Sequence, residues 1–129
     1  MVAQPHMPIH PISGEPLVFD VPAKIASVAA DLPHGGRKAT TLAKDGQLSV
    51  VLLVMDQGNE IAEHAVAGPT TVQLLSGRAT LKVSGSPVHM DAGTVVVFPP
   101  NATHSLRAHE RSALLVTVST AEVLHPEDQ

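Results

Sequence analysis

Cysteine, tryptophan and tyrosine are all absent from this chain of 129 residues. Without cysteine there can be no disulfide, no thiolate metal ligand and no cysteine nucleophile, a composition that suits a reducing compartment. Phe19 and Phe98 are the only aromatic side chains besides histidine, too few to assemble stacking platforms for bases or sugars. Basic charge is scarce as well. Eight Lys and Arg against twelve Asp and Glu leave a net charge of -4, and no basic cluster recurs, which argues against a nucleic-acid partner. No apolar run is long enough to span a bilayer, and the first residues carry neither a basic region nor a long apolar stretch. No membrane partner and a cytoplasmic location are therefore expected. There is also no P-loop, no G-x-S-x-G elbow and no G-x-G-x-x-G ahead of a helix.

What remains is organised in four stretches. Residues 1–16 carry Pro5, Pro8, Pro11 and Pro16, a spacing that forbids a helix and predicts an extended arm. His6 and His10 have the i, i+4 spacing of helical metal ligands, but the interleaved prolines remove the helix that would bring them together. Residues 17–36 are expected to pack on the main body. Leu17 to Asp20 read as a short edge strand and Val21 to Ala30 as a helix, with Asp20 as N-cap and Ile25 and Val28 on its buried face. Residues 37–119 form the barrel, and residues 120–129 a tail.

From Arg37 onward, short β-type runs alternate with turn residues at regular intervals, the pattern of a sandwich or barrel. Asp45-Gly46, Gln57-Gly58-Asn59, Ala67-Gly68-Pro69, Ser76-Gly77, Ser84-Gly85-Ser86-Pro87, Asp91-Ala92-Gly93 and Pro99-Pro100-Asn101 mark the corners. About nine strands lie between them, among them Ile61 to Val66, Val88 to Met90 and His104 to Ala108. Val50 to Met55 and Leu114 to Val118 are apolar on both alternating faces, so the barrel's outer face needs a cover. A homodimer through the outer sheet is the expected cover, and the N-terminal arm and helix are the alternative.

Two histidines stand out, His64 behind Gly58 and His104 behind Gly93, each beside a β-rich run. The stretch from Gly58 to His104 resembles the two motifs of the cupin superfamily, G(X)5HXH(X)3-4E(X)6G and G(X)5PXG(X)2H(X)3N. The first maps onto Gly58, His64, Val66, Thr70 and Gly77, and the second onto Gly93, Pro99, Asn101, His104 and Ala108, with spacing kept throughout. The resemblance implies an all-β, double-stranded β-helix (jelly-roll) barrel with an inward-facing pocket, in a small single-domain protein. It also implies a metal held by histidines and a glutamate, but Val66 and Thr70 replace the second histidine and the glutamate, so His64 and His104 are the surviving metal ligands. Removing even an indirect partner of a metal site costs about 10- to 100-fold in affinity, so the loss of two direct ligands predicts weak binding at best. The candidate cofactor implied is a weakly held divalent ion (Zn, Fe, Mn or Ni). Asn101 in place of glycine is compatible with a tight corner, because asparagine also enters the left-handed region.

No neighbour replaces the missing ligands. Strand alternation sets Thr70, Val72 and Leu74 on one face and Gln73 on the other, and it turns Glu63 away from His64. His89 and His109 read as surface residues, and Ser105 faces opposite to its neighbour His104. The candidate site is thus His64 and His104, as catalytic or metal-binding groups, with Val66, Thr70 and Val72 lining the pocket. Three functions fit. The barrel holds a small organic ligand anchored by the two histidines, with or without a weakly held divalent ion; it is an isomerase, lyase or oxygenase using them with a metal or as acid and base; or its pocket is inactive and the protein serves assembly.

Overall fold

The computed structural model describes residues 14–119. The expected arm therefore lies outside the described residues up to position 13, together with His6, His10 and the tail at 120–129. Leu17 to Asp20 do not form the expected strand and run without regular pairing into helix α1, Val21–Ala30. Phe19 explains the discrepancy: an apolar run reads as a strand, but its side chain packs against the cluster beneath the helix and covers the outer face of the sheet. Asp20 caps α1 as expected, its side chain accepting a hydrogen bond from Ala23 N at 3.1 Å, with proline in the first turn.

Nine strands follow: β1 (Arg37–Lys44), β2 (Leu48–Met55), β3 (Glu60–Ala65), β4 (Thr70–Ser76), β5 (Arg78–Val83), β6 (Ser86–Asp91), β7 (Val95–Phe98), β8 (Thr103–Ala108) and β9 (Ser112–Ser119). They form one sheet of five strands in the order β1-β2-β9-β4-β7 and one of four in the order β3-β8-β5-β6, antiparallel throughout. The pairings β2 with β9, β3 with β8, β4 with β7 and β5 with β6 are nested, as if one long hairpin were rolled up. That nesting is the jelly roll.

The Asp45-Gly46 corner joins β1 to β2, and the Asp45 carboxylate accepts from Gln47 N at 2.8 Å. β6 begins earlier than the sequence suggests. Ser84 and Gly85 both take positive φ and make the whole turn, so Ser86 and Pro87 already belong to the strand. Proline is accommodated there because β6 is an edge strand and has no ladder to complete on its free side.

Side chains from the two inner faces, including Leu53, Met55, Leu74, Leu81, Met90 and Leu114, close the main core. A second cluster lies outside the five-stranded sheet, where Val28 and Leu42 bury Leu52, Val54 and Ala113, with Ile25 and Phe19 packed alongside. Part of the outer apolar face of β2 is thereby covered within one chain, by the helix that was the alternative cover. Val95 and Val97 on the β7 edge remain exposed. Among the described residues no helix is long and apolar enough to cross a membrane.

Candidate functional site

His64 and His104 are brought together by neighbouring strands. β3 and β8 pair with Ile61 opposite Leu106 and His64 opposite His104, so two residues of β3, Ala62 and Glu63, stand across from Ser105 alone. This bulge reverses the facing that strict alternation would give. Ile61 and His64, three positions apart, both reach the barrel interior, while Glu63 stays on the outside. The two imidazole rings lie 4.1 Å apart, centroid to centroid, tilted by 57°. Phe98, at the end of β7, also packs against His104, its ring centroid 4.7 Å away.

Each ring is oriented by the backbone just before it. His64 Nδ1 lies 3.0 Å from the carbonyl of Ala62, and His104 Nδ1 lies 3.1 Å from the carbonyl of Ala102. A carbonyl oxygen only accepts, so in both rings Nδ1 carries the proton. His104 is 8% exposed, whereas His64 stands at the exposed mouth.

The rings border a cavity of about 230 Å³. Val66, Thr70 and Val72, the residues expected from the sequence to line a pocket, all border it, and so do Val51, Leu53, Leu81 and Val116. Those four were legible only as alternating apolar positions in their strands. Thr70, which takes the glutamate's place in the motif, is 2% exposed and donates its hydroxyl to the Gly68 carbonyl at 3.1 Å. Gln73 takes no part in the cavity wall.

His89 and His109 are exposed as expected, yet they converge on one hydroxyl. Thr80 Oγ1 lies 3.1 Å from His89 Nδ1 and 2.7 Å from His109 Nε2. No sequence signal marks that pairing, since the three residues sit on β5, on β6 and beyond the end of β8.

The family model for the cupin domain matches residues 51–119. The chain is a cupin. Its barrel resembles a conserved protein of unknown function from Streptococcus pyogenes, with a TM-score of 0.71 at 23% identity over 86% of this chain and 93% of the other. An RmlC-like cupin from Shewanella frigidimarina matches with a TM-score of 0.64 at 26% identity, covering 68% of this cupin and 79% of its own chain. A salicylate 1,2-dioxygenase from Pseudaminobacter salicylatoxidans matches with a TM-score of 0.61 at 17% identity, over 74% of this chain and 31% of the enzyme. No curated protein matches the sequence.

Cupins often hold a metal where this chain keeps only two of the usual ligands. The donor set here is two imidazoles, with an alkyl group at Val66 and a hydroxyl already committed to the backbone at Thr70. Among the described residues no group of three or more His, Asp or Glu side chains is placed to share an ion. These residues do not fit a resident divalent cation, which asks for at least three protein ligands in the usual catalytic arrangement.

Proposed function

We propose that this cupin binds a small organic molecule in the barrel cavity, with His64 and His104 as its polar anchors. The observation that carries the reading is the convergence of two oriented imidazoles on the wall of an otherwise largely aliphatic cavity. Ligand sites are characteristically apolar pockets with a few placed polar groups. The size limits the occupant. A cavity of about 150 Å³ holds benzene, so about 230 Å³ accommodates a substituted six-membered ring or a short branched chain.

Thermal-shift measurements with small alcohols, amides, acids and sugars test this. A ligand at a hundred times its Kd stabilises the fold by about 2.7 kcal/mol, a shift of several degrees for a domain of this size. The shift is expected to shrink in His64→Ala and in His104→Ala and to vanish in the double variant. A shift of full size in the double variant would place the ligand elsewhere. Elemental analysis of untagged protein is expected to find divalent metal well below one ion per chain, and any trace that is present to fall in both variants.

A further inference from the structure

We infer that the occupant of this cavity is an uncharged molecule whose polar head donates hydrogen bonds, a hydroxyl or neutral N–H group on a compact apolar body. The inference rests on the ligand-binding reading above and follows from where the protons of the cavity wall are spent. Three polar side chains border the cavity: His64, His104 and Thr70. Each has its proton committed to a backbone carbonyl, His64 Nδ1 to Ala62, His104 Nδ1 to Ala102 and Thr70 Oγ1 to Gly68.

A neutral imidazole has one N–H and a threonine hydroxyl has one hydrogen, so what these groups have left to offer is lone pairs. Nε2 of His104 has no protein partner among the described residues. No buried side-chain nitrogen or oxygen there lacks a partner, so this Nε2 is an atom that solvent or a ligand reaches. Phe98 and His64 pack against its ring, the residue is 8% exposed, and it borders the cavity, which is the approach a ligand would take. Every other side chain on the wall is Ala, Val, Leu or Ile. With the imidazoles in their neutral form, the wall is therefore a set of acceptors without a free donor.

Complementarity then selects the head group. Against imidazoles in the neutral form a carboxylate or ketone brings only acceptors and meets lone pair with lone pair. An ammonium brings donors, but its charge would enter a cavity that contains no carboxylate to balance it. A hydroxyl, or an N–H without a carbonyl beside it, satisfies Nε2 without carrying charge, and its apolar body fills the aliphatic remainder.

Calorimetry on the full chain at pH 8 with toluene, benzyl alcohol and benzoate separates the possibilities, because the three share a ring and differ in the head. Benzyl alcohol is expected to bind about tenfold more tightly than toluene, the scale of one or two buried hydrogen bonds. Benzoate is expected to bind more weakly than benzyl alcohol by a similar factor. In His104→Leu and in His64→Leu, toluene should retain its affinity, which also reports an intact cavity, while the advantage of the alcohol shrinks. Benzoate binding as tightly as the alcohol, or an alcohol preference that survives in both variants, overturns the inference and leaves the ligand-binding reading standing. Binding of none of the three overturns both.

Discussion

Gly77 turns the chain from β4 into β5 with φ of +96°, and the space beside its Cα is already occupied. A Cβ there would stand 2.7 Å from Ser112 Cα and closer still to Ser112 Oγ and the Arg111 carbonyl. Ser112 cannot retreat, since it is 1% exposed and its hydroxyl is engaged with the Glu110 and Arg78 carbonyls. Gly77→Ala is expected to cost about 3 kcal/mol or more, strain and collision combined. Gly85 is the control, for it also has positive φ but nothing within 4 Å of an added Cβ. Gly85→Ala should cost only the backbone penalty of about 1–2 kcal/mol. Urea unfolding of both variants measures the difference, and equal losses would mean that the crowding at Ser112 relaxes away. Asn101 is the counterpart in which asparagine takes the glycine's place: its φ of 67° is the left-handed value that asparagine tolerates.

The deficit of ligands is also a matter of single residues, and it is reversible on paper. Val66 and Thr70 border the same cavity as His64 and His104, so V66H/T70E should restore a four-ligand wall. Thr70 is nearly inaccessible, and a carboxylate there without a cation is buried at a cost. The double variant is therefore expected to melt below wild type in chelator and to gain several degrees on addition of Zn or Mn, with wild type unmoved. A scan in both conditions decides it. Failure of metal to raise the melting point of the variant would mean that the two positions do not aim at the histidines.

At the scale of elements, α1 is what keeps the five-stranded sheet covered. Its Val28 closes over Leu52, Val54 and Ala113, and its start is set by the Asp20 cap. Asp20→Ala is expected to destabilise by about 1 kcal/mol, read as a lower urea midpoint with an unchanged slope. Helix and cap were legible because Asp-Val-Pro states a start and the apolar residues fall on one face. The strands from β1 to β9 were legible for a similar reason, with turn glycines and prolines punctuating apolar runs. Leu17 to Asp20 misled because strand pairing is decided by a partner edge, which local composition does not contain. The β3 bulge was hidden too, since it is defined by the count of residues on β3 against β8, and neither strand alone records it. The histidine pair was nevertheless anticipated from motif spacing, whereas the meeting of Thr80, His89 and His109 depends on register between three separate segments.

For the molecule as a whole, Asp56 ties together pieces that the sheets leave apart. Placed just after β2, its carboxylate accepts from Gly35 N at 2.8 Å and Gln57 N at 2.9 Å, and Arg111, ahead of β9, approaches it to 3.5 Å. Its backbone N–H donates to Gly36 at 2.8 Å. These bonds, the one from Gly35 first, then that from Gln57, and finally the Arg111 guanidinium, hold the carboxyl below its ordinary value. A carboxyl with a lower pKa folded than unfolded stabilises the fold above its unfolded value, about 3.9 for aspartate, and that contribution disappears as pH falls through the folded value. Asp56→Asn keeps a similar shape but neither the charge nor the second acceptor oxygen. It should melt below wild type at pH 7, and the gap should hold above the unfolded aspartate value and narrow steadily as pH falls below it toward the lowered folded value. The comparison isolates this residue, because the acid titration of the remaining carboxylates is common to both proteins. Parallel melting curves that keep the same separation from pH 7 to pH 3 would assign the loss to shape or hydrogen bonding and not to the ionised carboxylate.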